Sequence, residues 1–260
     1  MGNCVSNDNT ANTSEAKATG SKPVPKTTKA QEAEQEVQVV SETAAAAPEE
    51  EKKEASPKAA AAAPLPKISA ADLAIMFDDA RSFQNYDPSF KVSDEDLKAI
   101  YDTVKWGPTA FNASPARFYF VRSEEAKAKL NSCLMPLNVE KTTQASVCVI
   151  VGYDTSFPET FKELSPHYDA KAIFDANPSW VEPTAVRNAR LQGGYLILAA
   201  RAHGLDAGGM SGFDNGAVDA AFFAGTTIKS EFLINIGKGV KETLYPRAPR
   251  LAFEDACKQL

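Results

Sequence analysis

Between Thr184 and Gly212 the chain runs through an almost unbroken apolar stretch with Gly193 and Gly194 in its middle, and this limits the possible folds more than any other feature. Val186, Ala189, Leu191, Tyr195 to Ala200 and Ala202 fall on nearly every face of a helix, the pattern of a helix buried on most sides. Gly204 supplies a residue free to turn left-handed at its end, and Arg201 and His203 stand in the last turn, where positive charge is favoured. A short strand follows, then Gly208, Gly209, Ser211 and Gly212. A turn alone would explain these glycines. Glycines at two levels, mid-helix and after the strand, point instead to close approach of a flat or charged ligand.

The chain divides near Lys67. Residues 1–66 contain none of the 14 Phe, 7 Tyr and 2 Trp, while Ala, Pro, Lys and Glu dominate, so this extension cannot bury enough apolar surface to offset its ordering entropy and is expected to be disordered. Residues 67–260 are long enough for one domain with a substantial core. A net charge of −6 argues against a nucleic-acid binder. Cys4, Cys133, Cys148 and Cys257 have neither paired spacing nor nearby histidines, which excludes a recognisable zinc or CxxC motif and fits a reducing, cytoplasmic setting. With His167 and His203 the only histidines, no histidine-rich metal centre is expected.

The apolar run is broken by Arg187, Arg190 and Arg201 and is not a membrane span. Met1-Gly2-Asn3-Cys4-Val5-Ser6 matches the pattern for N-myristoylation at Gly2, with Cys4 placed for a second acyl chain. Tethering on the cytoplasmic side of a membrane is the corresponding expectation.

Along the folded part, Leu73, Ala74 and Phe77 fall at helical spacing within 70–80, with Arg81 and Ser82 directly after. Ser93 and Asp96 form a capping box for a helix carrying Leu97, Ile100, Tyr101 and Val104 and stopping at Gly107-Pro108. A loop of small, hydrogen-bonding residues from Pro108 to Arg117 runs into the strand 118–121. A helix begins at Ser123, and Val147 to Val151 reads as a strand buried on both faces. Residues 152–183 form a polar, proline-containing excursion beside a pocket or subunit boundary. Asp214 caps a short helix, 232–236 is a strand, and Arg247 and Arg250 lie among prolines near the end. Strands and helices mix without strict alternation, giving an α+β class with a mixed sheet flanked by helices.

Arg81, Arg247 and Arg250 are donors outside long helices, suited to a phosphate that takes bidentate partners. Asn112 offers a donor and an acceptor, as the pyrimidine edge of a flavin requires. Backbone N–H groups around Gly209, Ser211 and Gly212 can face a ring nitrogen without a side chain intervening.

From about Ala70 to Leu260 the chain resembles the nitroreductase superfamily, and most closely its malonic semialdehyde reductase branch. The resemblance is carried by Phe77 to Ser82, Val104 to Thr109 with Asn112, Ser114 to Phe118, Arg187-Asn188, Leu191-Gln192-Gly193, Met210 to Asp214 and Tyr245 to Leu251. It implies an intertwined homodimer with FMN at the subunit interface, and NAD(P)H as hydride donor. Arg81, Ser82, Asn112, Gly209, Ser211, Gly212, Arg247 and Arg250 would hold the FMN. Where the family carries Arg-Ser-x-Arg, this chain reads Arg81-Ser82-Phe83-Gln84, so the second cation is missing. The implied reaction is reduction of malonic semialdehyde to 3-hydroxypropanoate, with Arg117 or Arg187 orienting the substrate carboxylate. The alternatives are a broad nitroaromatic or quinone reductase and a non-catalytic flavin-binding protein.

Overall fold

The computed structural model describes residues 65–260. The acylation motif at Gly2 and Cys4 and nearly all of the Ala/Pro/Lys/Glu-rich extension lie outside the described residues.

Four strands form the sheet: β1 (Ala116–Val121), β2 (Val147–Asp154), β3 (Asp206–Met210) and β4 (Ile228–Gly237), in the order β1-β2-β4-β3. All three pairings are antiparallel, so the expectation of a mixed sheet is corrected. The parallel pair that a mixed sheet requires does not occur among the described residues. β2 is buried along its whole length. Its side chains alternate, Val147, Val149 and Val151 packing on one face with Ile234 and Ile236, and Cys148 and Ile150 on the other with Leu233. Both faces of a central strand are therefore apolar, which is why its sequence is a continuous run.

The first face is covered by α2 (Asp94–Val104) and α7 (Val181–Ala202). The second is covered by α3 (Glu124–Asn131) and α8 (Asn215–Phe222), with α4 (Pro136–Gln144) beside them. Ser93 and Asp96 close the expected capping box of α2, and Ser123 and Asp214 cap α3 and α8 through their side chains. Gly204 follows α7 at φ +79°, a conformation that costs glycine little.

α7 spans 22 residues, but it is buried along one stripe, Ala185, Asn188, Ala189, Gln192, Gly193, Leu196, Ala199 and Ala200, and not on most sides. Of its two mid-helix glycines, Gly193 serves packing. A Cβ on Gly193 would lie 2.3 Å from Phe232 Cζ and 3.3 Å from Val151 Cγ1, so the glycine lets the helix settle onto the sheet; Gly194 faces open space. The excursion at 152–183 forms α5 (Phe161–Leu164) and α6 (Ala170–Ala176) over a small core of its own. There Phe157 meets Phe161 and Phe174 edge-on, with centroids 5.6 and 5.2 Å apart. At the N-terminal side, α1 (Ala70–Leu73) passes into a π-helical turn over Ala74–Asp78, and α9 (Phe253–Ala256) ends the chain; neither helix buries a side chain.

Candidate functional site

Asn112 and Arg117 line one cleft and Arg81, Ser82, Arg247 and Arg250 a second, while Gly209, Ser211, Gly212 and Arg187 line neither. The first surrounds the loop that follows α2. Phe111, Asn112 and Ser114 have φ of 58°, 54° and 40°, three non-glycine residues in the left-handed region within four positions. Such backbone persists only where its surroundings over-determine it, and it clusters at functional sites. Here Asn188 and Gln192, buried carboxamides one turn apart on α7, accept from the Ala110 and Ala116 amides at 2.8 and 2.9 Å. Thr109 Oγ1 accepts from the Ser114 amide at 3.1 Å, and Ser165 Oγ donates to the Phe111 carbonyl at 2.6 Å. Asn112 Nδ2 donates to the Leu164 carbonyl at 2.8 Å, so the excursion borders the loop as expected. A cleft of about 470 Å³ opens between Tyr101, Lys105, Trp106, Asn112, Arg117 and Leu164.

Arg117 is already engaged in this cleft. Its Nη2 lies 2.8 Å from Asp154 Oδ2, and its Nη1 donates to the carbonyls of Ser114 and Ala116. Asp154 also accepts from Thr227 Oγ1 at 2.6 Å and from Ser156 N and Oγ. Burial pushes the Asp154 carboxyl upward, but the hydrogen bonds from Thr227 and Ser156 and the Arg117 charge outweigh it and hold the group below its ordinary range. Arg187 is exposed on α7 and makes no hydrogen bond or ion pair among the described residues.

The second cleft, of about 530 Å³, is cationic. Arg81, Arg247 and Arg250 line it together with Ser82, Phe77, a fourth arginine, Arg201, and one carboxylate, Asp78, which forms an ion pair with none of them. Arg81 Nη2 donates to the Tyr245 carbonyl at 2.5 Å. Arg247 Nη2 donates to the carbonyls of Asp78 and Ala80, and Arg250 Nη1 to those of Ala248 and Pro249. None of the four pairs with a carboxylate among the described residues. Backbone carbonyls orient these guanidinium groups without neutralising them, which leaves a positive cleft suited to a phosphate.

The glycines do not line this cleft and meet it only through Ser82. Gly208 and Gly209 belong to β3, in register with Asn235 and Ile234, so the expected turn contracts to Ser211 and Gly212 beyond the strand. A Cβ on Gly208 would lie 3.0 Å from Tyr86 Oη and 3.8 Å from Ser82, which places Ser82 against the strand. Gly209 turns toward Ile197 of α7, and Ser211 is exposed. The Gly212 carbonyl accepts from the Met135 amide at 3.0 Å and from Asn138 Nδ2 at 2.8 Å; a Cβ there would fall 2.5 Å from Asn138 Nδ2. The structure therefore joins Arg81, Ser82, Arg247 and Arg250 with Arg201, and sets Ser82 against Gly208 of β3.

Asn112 is not brought to this surface. Asn188, which holds its loop, and Arg201 stand about 20 Å apart along α7 at the rise of an α-helix. Sequence reasoning did not bring Arg201 to the arginine cleft or Asn138 to Gly212. The available signal for Arg201 was a second cation missing at Gln84; Asn138, one buried carboxamide on an otherwise ordinary helix, carries no motif. Among the described residues no group of His, Cys, Asp and Glu could hold a metal ion, and no helix is long and apolar enough to cross a membrane.

The family model described as Nitroreductase family matches residues 78–238. A protein of Ralstonia pickettii, provisionally named NADH dehydrogenase/NAD(P)H nitroreductase HadB, is 54% identical over 188 residues, covering 71% of this chain and 95% of its own. One from Stenotrophomonas maltophilia with the same provisional enzyme name is 57% identical over 162 residues, covering 62% and 83%. Among solved structures, a provisionally assigned nitroreductase of Exiguobacterium sibiricum, crystallised in complex with FMN, superposes with a TM-score of 0.62 at 23% identity, covering 75% of this chain and 99% of that one. The nitroreductase ydfN of Bacillus subtilis, likewise provisional, gives 0.64 at 22%, covering 73% and 99%. Both structures share the fold, and the matched family model and close relatives establish that this chain belongs to the nitroreductase family.

Proposed function

We propose that the chain is an FMN-dependent oxidoreductase that carries hydride from NAD(P)H to a small acceptor. The observation that carries this reading is the arginine cleft, whose cations have only backbone carbonyls as partners and whose Ser82 lies against Gly208 of β3. These residues fit FMN: Arg81, Arg247 and Arg250 would hold its phosphate, and the exposed backbone at Gly209 and Ser211, beyond Ser82, would face its ring system. When bound, FMN supplies the hydride chemistry itself.

The site is composite in this reading. Asn112 lines a different cleft from the arginines, so we read a second copy as the one that brings its Asn112 loop to the ring. Uncovered apolar side chains support an intertwined homodimer: Phe77 is 53%, Leu251 75% and Phe253 60% exposed in the single chain. The outer face of α7 likewise presents Leu191 and Gly194 uncovered.

For the acceptor we favour malonic semialdehyde, reduced to 3-hydroxypropanoate. Arg117 is committed to Asp154, so Arg187, free of any partner among the described residues, is the cation for the substrate carboxylate. A broad nitroaromatic or quinone reductase is the second reading, favoured by the exposed rings of Trp106 and Tyr101 that wall the Asn112 cleft. Comparing NAD(P)H-dependent turnover of malonic semialdehyde, a nitroaromatic and a quinone by wild type and Arg187→Ala separates the two. An acid-aldehyde reductase should lose about 10-fold or more in kcat/KM for the aldehyde alone. Equal turnover of every acceptor, unchanged by the substitution, would favour the broad reductase. Protein that binds flavin but turns over none of them would be non-catalytic.

A further inference from the structure

The arginine cleft takes Arg81 and Ser82 from the segment after the π-helical turn, whereas Gln84, two residues beyond Ser82, is exposed and does not line it. We propose that Arg201, from the last turn of α7, is a further cation of this cleft and positions the phosphate of the bound flavin; this rests on reading the arginine cleft as the phosphate end of an FMN site.

Arg201 lines the same cleft as Arg81, Arg247 and Arg250. It does not do what a last-turn arginine is expected to do. Its Nη1 donates to the Met76 carbonyl at 2.9 Å and its Nη2 reaches the Ala207 carbonyl at 3.5 Å, instead of the last carbonyls of its own helix. Those two partners lie in the π-helical turn that leads to Arg81 and Ser82 and in the strand that carries Gly208 and Gly209. One guanidinium thus spans the segment that grips a phosphate and the segment that lies along a ring. Its Nε is buried and has no acceptor among the described residues. Asp206 contributes favourable charge nearby and Arg247 opposing charge, yet no carboxylate pairs with it. A half-buried guanidinium locked by two carbonyls is a pre-organised positive charge, and loses little freedom when an anion arrives.

The test uses the full chain stripped of flavin. Affinity for FMN and for riboflavin, which lacks the phosphate, is measured by quenching of flavin fluorescence for wild type, Arg201→Gln and Arg201→Lys, with a thermal melt of each as a control on folding. The expected result is that Arg201→Gln weakens FMN binding by about 10- to 100-fold, the range of one charge-assisted hydrogen bond, and leaves riboflavin within about 2-fold. Arg201→Lys should keep most of the preference for FMN. If Arg201→Gln weakens both flavins equally, or neither, Arg201 is a structural strut only and the proposal is wrong. If Arg201→Gln does not fold, Arg201→Lys decides: retention of the FMN preference supports the proposal and its loss overturns it. A wild type with no preference for FMN over riboflavin would overturn the phosphate reading of the cleft itself, a different result from either.

Discussion

The two clefts hold cations in opposite states. In the Asn112 cleft Arg117 and Lys105 are each matched by a carboxylate, Asp154 at 2.8 Å and Asp102 at 2.6 Å. In the arginine cleft, Arg81, Arg201, Arg247 and Arg250 have only backbone carbonyls as acceptors. A carboxylate partner cancels charge and fixes architecture; a carbonyl fixes direction and leaves the charge in place for an anion. In the proposed reading Arg117 serves the fold and the four arginines a ligand, although all five look equivalent in the sequence.

The comparison breaks most visibly if the arginine cleft can be neutralised without consequence. Replacing Arg247 and Arg250 together with alanine should weaken FMN binding by about 100- to 10,000-fold, at the scale of two charge-assisted hydrogen bonds, while riboflavin binding changes little; fluorescence titration of the stripped protein measures both. In the Asn112 cleft, Arg117→Ala should act on stability. It leaves Asp154 nearly buried without its counter-ion, a loss of roughly 2–3 kcal/mol, below the value for a fully buried pair because the Arg117 side chain is 30% exposed. Denaturant unfolding reads that loss, and flavin affinity should stay near wild type.

The pH dependence sharpens the same contrast. Asp154 is held below its ordinary value of 3.8 in the folded chain, so its contribution to stability is present above that value and is lost as pH falls through the lower folded value. Without Arg117 the folded carboxyl titrates higher, and the variant should lose stability at a higher pH than wild type in melts between about pH 3 and pH 6. Parallel pH profiles would mean that the pair contributes nothing. The smallest effects separate the two mid-helix glycines. Gly193→Ala should cost about 1–3 kcal/mol against Phe232 and Val151, whereas Gly194→Ala, facing open space, should gain up to about 1 kcal/mol in the monomer. If Gly194→Ala instead weakens self-association in sedimentation, this face of α7 lies in the dimer.

Local chemistry made much of the fold legible. Ser93 with Asp96, Ser123, Asp214 and Gly204 act within a turn of their own positions, so the helix ends could be read directly. What depends on distant partners could not. Gly193 is required by Phe232, Arg117 is neutralised by Asp154, and Arg201 reaches back to Met76, none of them near in sequence. The left-handed backbone at Phe111, Asn112 and Ser114 was hidden for a related reason, since no glycine marks it and side chains of Asn188 and Ser165 hold it in place. Of the candidate site, the cations proposed to bind phosphate were visible as residue types, but the placement of Asn112 in a different cleft emerged only with the fold.

The central claim is that the arginine cleft binds the phosphate of FMN, and the most direct measurement is the affinity of flavin-free wild-type protein for FMN and for riboflavin at low and high salt. The account predicts FMN bound about 100-fold tighter or more than riboflavin, with the difference shrinking as salt rises. Equal affinity for the two flavins at all salt concentrations, or no uptake of either, would contradict it.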